Sequence, residues 1–423
     1  MNFIAGSFLI ASLLTVGAPL VFAGEQPVAA DSQMTQGPKI FVDCASCDQE
    51  YLRAEIHFVN FVRDRQLADV HVLVSTQRTG SGGTEYTTEF IGLGSWQGRR
   101  DTLKFSVLES DSDDNVRREV LRAIKIGVLP YVAKTPLARH ISIGYDQPAK
   151  TGKVIDPWDS WVFTISGNTY FSGEESNHYL NLWGELTARR ITEGSKIELE
   201  VYGSYTEDLF KYTLDTEQIT TLSLSRSKSA EIAYVLSITQ HWSAGGYATA
   251  SSSTYSNRDY RIEASPAIEY NVFPYRQSTR RQLRLAYYLT PSYVNYIEET
   301  IFNRTHEWLF SQNLSAELKL TQPWGSVTSQ LSGSSYLHDF SKNSLNSWSK
   351  LSLRLVKGLS LNIEGNISRV RNQLSLPKGN ATPEEILLRR RQMATDYQYW
   401  TSIGISYSFG SIYNNVVNPR FGD

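Results

Sequence analysis

From about residue 159 to the carboxy terminus, apolar and polar residues alternate with a period of two, segment after segment. That restricts this part of the chain to strands with two unlike faces. In 179–189, Leu180, Leu182, Gly184, Leu186 and Ala188 alternate with Asn181, Trp183, Glu185, Thr187 and Arg189. Ile197, Leu199 and Val201 alternate with Lys196, Glu198 and Glu200, and Ile262, Ala264, Pro266, Ile268 and Tyr270 with Arg261, Glu263 and Glu269. The pattern returns in 314–320, 351–355 and 361–367. Twelve strands are expected, near 159–171, 177–192, 196–211, 219–238, 244–255, 259–273, 281–297, 305–321, 325–337, 344–356, 360–372 and 397–409.

Two arrangements use such strands, a soluble sandwich and a transmembrane antiparallel β-barrel. Aromatic distribution favours the barrel, whose girdles lie at the two lipid–water interfaces. Only Tyr51, Tyr86, Tyr131, Tyr145 and Trp96 precede Asp156, and the remaining tyrosines and tryptophans of the 24 and 9 follow it. An even strand count returns both termini to one side. The connections 193–195, 322–324 and 357–359 are short, whereas the alternate set includes the long segment 373–396. With short turns in the periplasm, everything before the barrel is periplasmic too.

Residues 3–23 carry no charge and end in Val21-Phe22-Ala23 ahead of Glu25, the pattern of a signal peptide cut after Ala23. The missing basic residue at its start and its length leave an uncleaved anchor as the other possibility. No later stretch reaches the ~18 consecutive apolar residues of a membrane helix. With 41 Lys and Arg against 43 Asp and Glu, the formal charge is -2. A chain so balanced has no global field for a polyanion, which argues against nucleic acid as a partner.

Residues 24–129 are expected to form a small α/β domain of order βαβββα, followed by a Pro- and Gly-punctuated linker at 130–155 and the barrel at 156–423. Asp48 should cap a helix with Leu52, Ile56, Val59 and Val62 on one stripe. A hairpin follows around 80–83, then a strand at 102–108. Asp114 should cap a second helix burying Val116, Val120, Leu121 and Ile124, with Arg117, Arg118, Arg122 and Lys125 outward. This order resembles the amino-terminal domain of TolB-type proteins and the periplasmic part of the curli-secretion lipoprotein, a likeness of topology alone. The mature chain also resembles a group of Gram-negative outer-membrane barrel proteins with a periplasmic amino-terminal domain. The likeness rests on Asp43-Cys44-Ala45-Ser46-Cys47-Asp48, Phe61-Val62-Arg63-Asp64-Arg65, Thr76-Gln77-Arg78-Thr79-Gly80, Gly83-Thr84-Glu85-Tyr86 and the closing Gly410-Ser411-Ile412-Tyr413-Asn414-Asn415. It implies location and architecture, and no activity.

Four features carry candidate chemistry. Cys44 and Cys47 stand at a strand end before a helix start, where a thiol pKa is lowered. An oxidising periplasm makes a disulfide the simpler use of them and thiol exchange the sharper one. Two ligands are too few for zinc, and no His follows Cys47 as haem attachment needs, so no cofactor is expected. His241-Trp242-Ser243 puts a base two residues from a nucleophile, as in outer-membrane lipid hydrolases such as lipid A deacylase and phospholipase A, while Trp242 is more simply an interfacial aromatic.

The third feature is a set of inward charges: Glu185, Arg189, Lys196, Glu198, Glu200, Arg261, Glu263, Glu269, Arg284, Glu317, Lys319, Arg354 and Glu364. Their mixed signs suit cross-strand ion pairs in a polar lumen or a solute path. Last, Thr382-Pro383-Glu384-Glu385 opens a helix through Met393. Its Arg389-Arg390-Arg391 suits lipopolysaccharide phosphates, the helix could instead plug the mouth, and a solvated loop helix is the plain alternative. The expected function is therefore an outer-membrane channel or envelope structural component, with outer-membrane lipid, lipopolysaccharide and a periplasmic protein at residues 24–150 as partners. A lipid hydrolase is the alternative.

Overall fold

The structure is a computed structural model, and it describes residues 36–80, 82–144, 156–214, 217–379, 392–413, 415 and 420. The signal-peptide region and the loop helix with Arg389-Arg390-Arg391 lie outside the described residues.

The amino-terminal domain runs β1 (Lys39–Asp43), α1 (Gln49–Glu55), β2 (Asn60–Phe61), β3 (Val70–Arg78), β4 (Thr84–Gly92), β5 (Arg100–Val107) and α2 (Asp113–Val132). Its sheet order is β2-β1-β3-β4-β5, with β1 parallel to β2 and β3 and the rest antiparallel. Asp48 caps α1, accepting the Tyr51 N–H at 2.8 Å. Three local expectations are corrected. The helix stops at Glu55, so Val59 and Val62 reach the interior from the following loop and strand rather than along a helical stripe. Ser112, not Asp114, caps α2, because its hydroxyl accepts the Asn115 N–H while Asp113 and Asp114 occupy the first turn. Finally, α2 continues into the expected linker: Tyr131 and Val132 are core residues, and Leu137 and Ile141 pack against that core.

Even-numbered residues of the sheet, Ile40, Val42, Val70, Val72, Val74 and Phe90, meet Leu52, Ile124 and Val128 of the helices. The approach is close: a Cβ added at Gly127 of α2 would lie 1.9 Å from Phe90 Cζ. Burial of β3 runs unbroken over six residues, so its odd-numbered face is covered as well. What covers it is the second part of the molecule.

That part is β6 (Trp161–Gly173), β7 (Asn177–Ile191), β8 (Ser195–Leu214), β9 (Glu217–Ser237), β10 (Trp242–Ser253), β11 (Arg258–Asn271), β12 (Arg281–Tyr296), β13 (His306–Gln322), β14 (Gly325–Tyr336), β15 (Asp339–Val356), β16 (Leu359–Val370) and β17 (Tyr397–Tyr407). Each strand pairs antiparallel with the next in one continuous meander, which matches all twelve expected strands. No pairing joins β6 to β17 among the described residues, and β17 is exposed along its whole length. The expected twelve strands are therefore present, but as a sheet with two open edges and not as a closed barrel.

Candidate functional site

Register decides which side chains share a face. Arg189 pairs with Glu198, Glu200 with Glu231, Glu231 with Thr249, and Thr249 with Glu263. Glu263 pairs with Ser292, Arg284 with Glu317, Lys319 with Thr328, Thr328 with Lys350, and Lys350 with Glu364. Followed strand by strand, these pairs place all thirteen expected charges on one polar face. The opposite face carries Ile165, Leu186, Leu199, Ile232, Ile262, Leu285, Leu314 and Ile403, each more than a third exposed. Aromatics border this apolar face in two bands. Trp242 packs on Tyr270 at 4.7 Å near the short turns, and Tyr293 packs on Trp308 at 5.2 Å and Tyr260 at 6.0 Å near the other end. Ten residues of β11 separate Tyr260 from Tyr270. At ~3.4 Å each they cover ~34 Å along the strand, which a tilt of ~40°, usual for membrane barrels, would turn into ~26 Å of height, that of a barrel's apolar belt.

Most charges on the polar face are paired. Glu198 lies 2.8 Å from Lys196 and 3.6 Å from Arg189, Arg261 2.6 Å from Glu263, and Arg284 bridges Glu269 and Glu317. Lys350 meets Glu364 at 3.1 Å, a partner absent from the expected set. Glu231 is a second omission, and it stands directly across from Glu200, a like-charged pair that mixed-sign reasoning did not anticipate. Lys319 has no ion-pair or hydrogen-bond partner among the described residues.

At the long-loop end, the segment after β16 folds back over the polar face. Leu374 packs on Val294, Tyr296 and Leu309, a small apolar cluster on an otherwise hydrophilic surface. Asn257 holds the segment by donating to Ser375 O at 3.0 Å, and Ile301 N–H donates to Leu376 O at 2.9 Å.

At the short-turn end, the amino-terminal domain lies across the turns. The Arg354 guanidinium forms a two-pronged pair with Asp43, at 2.5 and 2.6 Å, while sharing Pro323 O at 3.5 Å. Arg280 pairs with Glu89 of β4, both side chains largely buried, and donates to Thr321 O at 2.9 Å. Asp64 accepts the N–H of Gly358 at 2.6 Å, in a turn whose φ of +74° favours glycine. Ser278 donates to Gln77 at 3.1 Å. A Cβ on Gly80 would come within 2.6 Å of Ile191 Cβ. The segment after β17 returns to the domain's free edge: Arg63 N–H donates to Ile412 O at 3.2 Å, and Asn415 bonds both Phe61 N–H and Asn60. The domain is thus a cap over the turns.

His71 sits behind Asp43, its Nε2 3.3 Å from the carboxylate, and its Nδ1 is buried without a partner. Burial depresses the His71 pKa below the ordinary 6.5 against the pull of Asp43. The Asp43 carboxyl is raised by burial, but hydrogen bonds from His71 and Arg354 and the Arg354 charge outweigh this and hold it below 3.8. Between the cap and the strand ends lies a cavity of about 470 Å³, lined by Phe41, Asp43, Cys44, Ser75, Lys319 and Arg354 among others.

Cys44 and Cys47 are joined in a disulfide just after Asp43. His241 and Ser243 are not bonded to each other. His241 Nδ1 lies 2.7 Å from Asn271 O, whereas Ser243 Oγ lies 2.9 Å from the Tyr275 hydroxyl, which donates to Glu269. The two side chains thus engage different partners, and Ser243 belongs to the polar-face network. No cluster of metal-ligating side chains occurs among the described residues.

No protein-family model and no curated protein matches this sequence. Among solved structures, the chain is similar to a NanC porin at 10% sequence identity and a TM-score of 0.28, over 58% of this chain and 99% of that one.

Proposed function

We propose that the protein is an outer-membrane channel, its meander closed into a twelve-stranded barrel around the polar face and its amino-terminal domain capping the periplasmic mouth. The observation that carries this is the segregation of the sheet. The thirteen expected charges share one face with Glu231 and Lys350, while the other is apolar and bordered by aromatic bands at a spacing that suits a bilayer. A soluble sheet would cover such an apolar face with a second layer, and none is packed on it among the described residues.

Closure brings β6 and β17 together as antiparallel neighbours. Both carry the polar face on even-numbered positions, so even residues must meet even residues. A cysteine at Ser166 should therefore cross-link to an even position within 398–406 and to no odd one. Two features restrict the path, the cap at one mouth and the Leu374 segment at the other.

The deciding experiment is single-channel recording of the purified protein in planar bilayers. A defined conductance step is expected, larger when Arg280→Ala loosens the cap or Leu374→Ser frees the outer segment. Folded protein that stays electrically silent with both mouths loosened would end the channel reading. Heat-modifiable migration and outer-membrane fractionation should accompany it, and recovery as a soluble periplasmic monomer would remove the barrel altogether.

A further inference from the structure

The cavity between cap and strand ends has a charge balance that the ion pairs around it do not cancel. Three charged side chains line it: Asp43, Arg354 and Lys319. Asp43 is spent on the two-pronged pair with Arg354, which leaves the Lys319 ammonium over. Of the carboxylates nearby, Glu89 is held by Arg280 and Glu364 by Lys350, while Glu317 and Glu269 share Arg284, and none of these four lines the cavity. The cavity therefore carries one net positive charge, in a space partly walled by Phe41 and Leu73 where a charge is less screened than in bulk water. Thr279, Thr321, Ser326 and Ser352 supply hydroxyls along the same wall. At about 470 Å³ it lies within the size range of small-molecule sites and far above the ~30 Å³ share of a single water.

We infer that this cavity is a binding site for a small organic or inorganic anion, a carboxylate or phosphate, held by the Lys319 ammonium with hydroxyl donors around it. An ammonium is a point charge with three donors and takes either oxyanion, so the site discriminates by sign and size more than by fork geometry. Neutral polyols make only the hydroxyl contacts and are bound far more weakly. Cations meet an uncompensated like charge. That the bound anion is also a solute in transit rests on the channel reading, whereas binding itself does not.

The test uses the full-length protein folded in detergent micelles, with gluconate and inorganic phosphate as probes and sorbitol as the uncharged control, read by titration calorimetry. Saturable binding of at least one anion is expected. It should weaken as potassium chloride rises, fall at least ~10-fold in Lys319→Gln and survive in Lys319→Arg. Gluconate alone binding assigns the site to carboxylates, and phosphate alone to phosphates. Heat-modifiable migration establishes that the variants are folded. A second measurement needs no variant: reductive methylation of the wild-type protein, followed by mass spectrometry, should show Lys319 protected by the anion and not by sorbitol. Sorbitol binding as tightly as the anions, affinity unchanged in Lys319→Gln, or no protection of Lys319 would overturn the inference. Anion binding without any bilayer conductance would instead leave the site standing and remove the channel reading.

Discussion

The cap domain and the twelve-stranded sheet are built on the same alternation and bury its two faces in opposite senses. In the cap, Val70, Val72 and Val74 turn toward helices and vanish from solvent. In the sheet, Leu314, Ala316, Leu318 and Leu320 turn away from the polar face that Glu317 and Lys319 share. Period two fixes a strand and its two faces; which face becomes the interior depends on the solvent outside, water for the cap and, in the proposed channel, lipid for the sheet. Substitutions should therefore act oppositely in the two regions.

The largest expected effect is in the cap. Phe90 is fully buried against α2, so Phe90→Ala removes a ring and leaves a void, at a cost of about 3–5 kcal/mol. Denaturant unfolding followed in the cap should show this loss while the heat-modifiable band of the barrel persists. Loss of both together would show that the two regions fold as one unit.

Next comes the sheet's inverted rule. Leu318→Arg should cost ~2–4 kcal/mol of barrel folding, because an Arg on the lipid side must be desolvated or thin the bilayer. Lys319→Gln, one residue on, should leave folding nearly intact. The readout is the folded fraction in lipid vesicles, and equal damage from both would show that β13 does not divide lipid from lumen.

Legibility followed the same divide. All twelve strands and the common face of the thirteen expected charges could be read from sequence, because alternation marks both faces of a strand, whereas Glu231 and Lys350 on that same face were missed. The junction could not. Its signal lies in β3 and β4, where His71, Ser75, Thr87 and Glu89 are buried although polar. A helix-packed sheet with one wet face would have exposed them, so their burial reports a second, polar partner. That partner is contributed by Arg280 and Arg354, some 200 to 300 residues further along. Periodicity carries no information over such distances. Open edges were equally invisible, because alternation in β6 and β17 says which way side chains point and nothing about which backbone they meet.

A smaller effect is expected at the disulfide. Cys44 and Cys47 close a short loop, and chain-entropy reasoning puts the bond at roughly 2 kcal/mol. Alkylation without reductant should label neither thiol, and Cys47→Ser should weaken the cap and its hold on Arg354 through Asp43 while leaving barrel assembly alone. Two free thiols in periplasmic material would contradict the bonded state.

The smallest effect tests the seam where the two burial rules meet. Asp43→Asn exchanges a two-pronged charged pair, a third exposed on the Arg354 side, for a neutral contact, and about 1–2 kcal/mol of docking should be lost. Acid should do the same in two stages. His71 has a folded-state pKa below 6.5, so as pH falls past 6.5 the undocked or unfolded cap takes up a proton that the docked one refuses. The cost is structural: a proton on Nδ1 would place an N–H where no acceptor waits. Docking stability is thus present above 6.5 and declines as pH falls toward the folded-state value. Asp43, held below 3.8, adds a second decline once pH passes under that point, because the undocked carboxyl protonates first. Thermal unfolding of the cap between pH 3 and 8 (~) should trace both steps. His71→Phe should abolish the upper one and weaken the lower, since His71 is one of the groups that hold the Asp43 carboxyl down, and a profile unchanged by that substitution would show that the seam is held without regard to His71.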